Sequence, residues 1–113
     1  MANRRYEAGR RFEWKVRDRL RAAGFTVLRT AGSKGPVDLI AVRERTMVLG
    51  VEETPGEIRF VQCKNRKPTA AERRAATAFA RVLFGVSDEA TMWLAWTDRA
   101  ESPAKVYFEE LLA

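Results

Sequence analysis

The chain reads as an α/β domain, with a mixed central β-sheet flanked by α-helices. Three observations carry this. Apolar residues recur at helical spacing in two long segments, residues 3–23 and 69–84. Short β-prone runs lie between and after them: FTVLRT, VDLIAV, IRFVQCK and TMWLAWT. Breaker-rich stretches separate most of these runs. The order α-β-β-β-α-β-β implies helices packed on a sheet. A length of 113 residues suits a single domain spanning the chain.

Each element has its own signal. In the first segment Phe12, Val16, Leu20 and Ala23 form one stripe, and Gly24 supplies the residue that ends a helix. FTVLRT, 25–30, alternates as a strand does, and AGSKGP, 31–36, is a turn or loop. VDLIAV, 37–42, is the second strand. Residues 43–57 are harder to read: MVLGV has room for a strand of its own, and TPGE signals a turn. IRFVQCK, 58–64, is a strand, followed by the basic connector NRKP. Thr69 and Glu72 make a capping box, T-x-x-E, for a helix running to about Phe84. Ala76, Phe79, Ala80 and Leu83 are its buried face, and Gly85 stops it. TMWLAWT, 91–97, is a strand, DRAESP a turn, and KVYFEELL a last strand closing in a short helical turn.

Composition narrows the function. Apolar content of 46% and charged content of 32% are those of a globular protein, and no apolar run approaches the length of a membrane span. The N-terminus, MANRRYEAGRR, lacks the apolar stretch of a signal peptide, so a cytoplasmic location is expected. Cys63 is the single cysteine, which excludes an internal disulfide and fits a reducing compartment. There is no histidine, which removes histidine-based triads and histidine–metal sites. Any metal must then be held by oxygen, which favours Mg²⁺ or Mn²⁺. The net charge of +6 points to a polyanion, nucleic acid first. Of the 21 basic residues, 16 are arginine, the side chain suited to bidentate phosphate contacts, although a GC-rich genome or life at high temperature gives the same bias.

One carboxylate stands out. Asp38 lies in GPVDLIAV, residues 35–42, a run that otherwise reads as a buried strand. An unpaired buried carboxylate costs several kcal/mol, so Asp38 must be solvated at a strand end, paired, or held for a purpose. Alternation along IRFVQCK puts Gln62 and Lys64 on one face and Cys63 on the other. If the two strands are antiparallel neighbours, Asp38 meets Gln62 and Lys64 at one sheet edge. Glu13 borders the buried stripe of the first helix, and Gly9, one turn earlier, leaves room for another backbone. Each residue also has an ordinary reading: Asp38 and Ser33 as turn formers, Glu13 as an ion pair to Arg17, Cys63 as a small core residue.

Together, an early helical glutamate, the stretch GSKGPVD at 32–38, and a strand ending in QCK resemble the PD-(D/E)xK nuclease core, and more narrowly the archaeal-type Holliday junction resolvases (Hjc). The resemblance covers roughly residues 4–75. It implies a restriction-endonuclease-like fold, with Glu13, Ser33, Asp38, Gln62 and Lys64 as the catalytic set. It implies Mg²⁺, with Mn²⁺ as a substitute, held by Glu13, Asp38, Gln62 and the Cys63 backbone carbonyl, with no organic cofactor. Lys64 would orient the attacking water or stabilise developing charge. Gln62 departs from the pattern, because most members carry a glutamate there, and Val37 stands where proline is usual. The resemblance further implies branched DNA, the four-way junction, as substrate, and a two-fold dimer. A different repair or restriction-type nuclease remains an alternative, as does a nucleic-acid-binding module that lost catalysis through Gln62.

Two further groups of residues belong to this reading. Arg4, Arg5, Arg10, Arg11, Arg17 and Arg21 decorate the first helix; Lys34, Arg66, Lys67, Arg73 and Arg74 surround the strand edge. Clustering on both sides favours phosphate tracking, without a base-reading motif. Trp93, Trp96, Tyr107 and Phe108 exceed what one face of a terminal hairpin needs. The strand carrying Trp93 and Trp96 is apolar on both faces, so it is either sandwiched or part of a dimer interface.

Overall fold

The computed structural model describes residues 4–30, 35–101 and 105–112, with side chains from Glu7 onward. In chain order the elements are α1 (Arg4–Ala22), β1 (Thr26–Arg29), β2 (Leu39–Arg43), β3 (Thr46–Val48), β4 (Val51–Thr54), β5 (Glu57–Lys64), α2 (Ala70–Phe84), β6 (Ala90–Thr97) and β7 (Val106–Leu111). β7 ends at Leu111, and Leu112 adds no helical turn.

Both helices end where their sequences require. Gly24 takes φ 95°, its N–H donates to the Arg21 carbonyl at 3.0 Å, and the Phe25 N–H donates to the Leu20 carbonyl at 3.1 Å. These two bonds are a Schellman cap, which needs the left-handed conformation that glycine adopts without strain. The capping box at Thr69 and Glu72 is present in both directions. Gly9 does not serve close packing: a Cβ placed there would meet nothing within 4 Å.

The main sheet has strand order β1-β2-β5-β6-β7. β5 and β6 are parallel and every other neighbouring pair is antiparallel, so the sheet is mixed. α1 buries Phe12, Val16 and Leu20 against one face, on Val27, Leu39, Ala41, Val61 and Ala95. α2 buries Ala76, Ala80 and Leu83 against the other face, on Met92, Leu94 and Leu111. Val61 and Phe60 are successive residues of β5 serving opposite cores, as the two-residue period of a strand demands. β6 is therefore sandwiched, which accounts for its two apolar faces. Trp93 and Phe108 pack against the α1 core, and Trp96 packs against the α2 core and stacks on Tyr107 at 4.5 Å.

Residues 43–57 differ from the single strand MVLGV. They hold a separate two-stranded sheet, β3-β4, turning at Leu49 and Gly50. Both turn residues have positive φ, 51° and 79°, as in the two-residue turn whose twist matches a hairpin. Leu49 is 99% exposed, and Met47, Val48 and Val51 are exposed beside it.

Candidate functional site

Asp38 precedes β2 and is tied down by the backbone. Its N–H donates to the Val61 carbonyl at 2.8 Å, and its carbonyl accepts from the Thr30 N–H at 3.0 Å. The β2–β5 ladder has Leu39 opposite Val61, so Asp38 falls beside Gln62, one step beyond the last pair. There the Asp38 side chain takes over from the ladder, and its Oδ2 accepts the Cys63 N–H at 2.7 Å. The antiparallel pairing expected of these strands is what brings Asp38 to the end of β5.

Asp38 is half-buried, and burial pushes its carboxyl above the ordinary range. The Cys63 N–H and the charges of Lys64 and Arg29 pull the other way without overcoming it. Cys63 packs against the α1 core, and burial, followed by the charges of Asp38 and Glu13, pushes its thiol well up. Gln62 and Lys64 leave from the face of β5 opposite Cys63, at the end where Asp38 sits in register with Gln62. Gln62 lines a groove with Gly35, Pro36, Ala75, Ala78 and Phe79. Lys64 reaches the N-terminus of α2, where its Nζ lies 2.9 Å from Glu72 Oε2.

Glu13 Oε2 accepts from Arg29 Nε at 3.0 Å, and Arg17 pairs with Asp18 instead. Asp38, Gln62, Cys63 and Lys64 therefore converge on one end of β5 from its two faces, and Glu13 stands on the α1 side. Among the described residues, no group of three or more histidine, cysteine, aspartate or glutamate side chains is placed to share a cation. Ser33 and Lys34 lie outside the described residues, as do the side chains of Arg4 and Arg5.

The basic residues divide into two kinds. Arg11, Lys67 and Arg74 are exposed, and Arg10 is exposed with its guanidinium 5.5 Å from the Trp14 ring centre. Arg66 and Arg73 are engaged internally, Arg66 with both oxygens of Glu72 and Arg73 with Glu109. Three neighbours of the site were not singled out from the sequence for this role. Arg29, at the end of β1, neutralises Glu13; its signal was a basic residue closing an apolar strand. Glu72 was legible only as a cap. The Arg66 guanidinium, first of several partners, holds its carboxyl well below the usual carboxylate range. Trp14 is 43% exposed and lines two surface grooves, one with Arg10 and Arg11 and the other with Glu13, Arg17, Arg21 and Arg29.

The fold is similar to the solved structure of Archaeoglobus fulgidus Hjc, a Holliday junction resolvase from an archaeal hyperthermophile. The TM-score is 0.55 and the identity 24%, over 91% of this chain and 72% of that one. That likeness supports the restriction-endonuclease-like α/β core. No curated protein matches the chain significantly. The family model for archaeal Holliday junction resolvase (Hjc) matches residues 4–71, a stretch that holds Glu13, Asp38, Gln62 and Lys64. With well over half the chain matched, the chain belongs to the archaeal Holliday junction resolvase (Hjc) family.

Proposed function

We propose that the chain is a structure-selective, metal-dependent DNA endonuclease that resolves four-way junctions by paired incision as a homodimer. The observation that carries this is the family match over residues 4–71, which includes the strand end where Asp38 meets Cys63 and Lys64. Phosphodiester hydrolysis needs an attacking water, neutralised charge at phosphorus and a stabilised leaving group. Lys64 supplies a positive charge at the same end of β5, close enough to pull on the Asp38 carboxyl, and is fitted to orient water or meet developing negative charge.

The donors here fit a hard cation. Asp38 uses Oδ2 on the Cys63 N–H, which leaves Oδ1 for a cation, and a cation would relieve the burial that raises this carboxyl. The Gln62 amide oxygen and the Cys63 carbonyl would complete the direct set, with Glu13 acting through water because Arg29 holds it. Mg²⁺ keeps several waters and often takes only one or two carboxylates, so this sparse set suffices, and Mn²⁺ suits the same oxygens. A bound ion supplies Lewis acidity and an activated water. Gln62 in place of a charged ligand weakens ion binding and lessens repulsion of the incoming phosphate.

Exposed Arg10, Arg11, Lys67 and Arg74 track the phosphates, and the absence of a base-reading motif favours recognition by shape. A junction has two equivalent strands to cut, so two sites related by a two-fold axis are needed. The sheet edge at β7, bordered on one face by the part-exposed Trp93 and Phe108 and on the other by Trp96 and Tyr107, is the proposed contact between copies. A second reading, a module that binds branched DNA without cutting it, is favoured by the neutral Gln62 and the Glu13–Arg29 pair. Cleavage of a panel of duplex, nicked, flap and four-way DNA with and without Mg²⁺ separates these readings. Selective, Mg²⁺-dependent cutting of the four-way substrate supports resolution; selective binding without cutting supports the second reading.

A further inference from the structure

We propose that Glu72 is a positioning residue for the reaction. It holds the Lys64 ammonium at the end of β5 with the same carboxylate that caps α2. This rests on reading Lys64 as a catalytic group. Lys64 Nζ lies 2.9 Å from Glu72 Oε2. Arg66 grips both oxygens, Nη1 to Oε1 at 2.7 Å and Nη2 to Oε2 at 2.9 Å. The Thr69 N–H donates to Oε1 at 2.9 Å, and the Glu72 N–H donates to Thr69 Oγ1 at 3.1 Å. The carboxylate that meets Lys64 is therefore fixed from the helix end and from the β5–α2 connector at once.

A cap alone does not require this arrangement. A capping box uses one side-chain oxygen, and glutamine serves as well as glutamate. The charge, and the second oxygen turned toward Lys64, are surplus to capping. What they supply is a fixed address for a side chain with four rotatable bonds. Without it, Lys64 spreads over several rotamers, and that lost pre-organisation is worth up to about 30-fold in rate. The same carboxylate also keeps Arg66 away from DNA. Removing the charge should therefore slow the chemistry and strengthen binding, two effects of opposite sign that a simple cap would not produce.

Glu72→Gln keeps the cap and removes the charge. Expected are a Tm lowered by at most about 5 °C as the exposed ion pairs of Glu72 are lost, single-turnover junction cleavage slowed about 10–30-fold, and junction binding equal to wild type or tighter. The salt dependence of binding should steepen by about one phosphate contact as Arg66 is released. Thr69→Ala is the opposite control: it should lower Tm yet slow cleavage far less than Glu72→Gln, because the Thr69 N–H and Arg66 still hold the charged carboxylate. The tether is also read without activity, as the side-chain ammonium resonance of Lys64 in nitrogen-15 NMR, observable in wild type and lost in Glu72→Gln.

Three results overturn the proposal. One is a folded Glu72→Gln protein that cuts at the wild-type rate. Another is an unchanged Lys64 resonance in that variant. The third is a slowed Glu72→Gln restored by excess Mg²⁺, which would make Glu72 a metal ligand. If Lys64→Ala cuts normally, it is the catalytic reading of Lys64 that fails, and the resonance still tests the tether by itself. Should Glu72→Gln not fold, Arg66→Gln, which frees the carboxylate while leaving the cap, must slow cleavage for the proposal to stand.

Discussion

Asp38→Asn separates stability from function at the centre of the site. Asparagine keeps an oxygen for the Cys63 N–H, now 2.7 Å from Asp38 Oδ2. A hydrogen bond to a charged acceptor contributes about 1.5–3 kcal/mol and a neutral one about 1, so about 1 kcal/mol is lost. Against this, the substitution removes the desolvation of the carboxylate, the largest influence on Asp38. Full burial costs several kcal/mol, but Asp38 is half-buried and solvent screening trims the relief to about 1–2 kcal/mol. The net change is a gain of up to about 1 kcal/mol, or a rise in Tm of up to about 5 °C. The pH dependence follows. A carboxyl raised above its ordinary 3.8 gives wild type stability that is fully present below that pH and lost as pH rises through the raised value. The asparagine variant lacks this loss, so its advantage should grow as pH rises from below 3.8 towards neutrality. The assay is thermal unfolding in chelator across that range, then with Mg²⁺, paired with junction cleavage. Mg²⁺ should raise the Tm of wild type alone, because only wild type holds the ion. Cleavage should be abolished with junction binding intact. A variant more than about 1 kcal/mol less stable than wild type would refute the desolvation argument, and normal cutting with Mg²⁺ would refute the site.

Gln62→Glu should lower the Mg²⁺ concentration needed for half-maximal cleavage, because a charged ligand replaces a neutral one; an unchanged titration would put Gln62 outside the coordination shell. Leu49→Asn should stabilise the protein by about 0.5–1 kcal/mol, since asparagine tolerates the positive φ that leucine resists; equal or lower stability in denaturant titration would show that the Leu49 side chain makes a contact that offsets its strain. Cys63, partly buried with its thiol pushed well up, should be alkylated slowly in native protein at pH 8 and readily once unfolded; rapid native modification would contradict its place against the α1 core.

The parts of this structure legible in the sequence are those set by local chemistry. The Phe12, Val16 and Leu20 stripe, the glycine cap at Gly24 and the box at Thr69 and Glu72 each follow from spacing within one segment. Asp38 was legible because a charge inside VDLIAV conflicts with its surroundings, and antiparallel pairing carries it to the end of β5 that holds Gln62 and Lys64; its bond to the Cys63 N–H was not legible. The β3-β4 hairpin was not legible, because its turn begins with leucine, which signals a strand and not a left-handed turn. Arg29 beside Glu13 and Glu72 beside Lys64 were hidden for another reason. Each pair joins elements whose separation is set only when the sheet forms. The surplus aromatics near the C-terminus showed that β6 is apolar on both faces. Alternation cannot say whether a helix of the same chain or a second copy covers a face, and for β6 the two helices cover both.

Resolution itself is tested most directly on a supercoiled plasmid whose inverted repeat extrudes a four-way junction, incubated with wild-type protein and Mg²⁺. Light scattering on the same preparation reports whether the protein is dimeric. The predicted result is a dimer that converts the plasmid to linear product by two incisions at the junction, and leaves a plasmid without the repeat intact. Nicked circles as the sole product, or equal cutting of both plasmids, would contradict junction resolution by this chain.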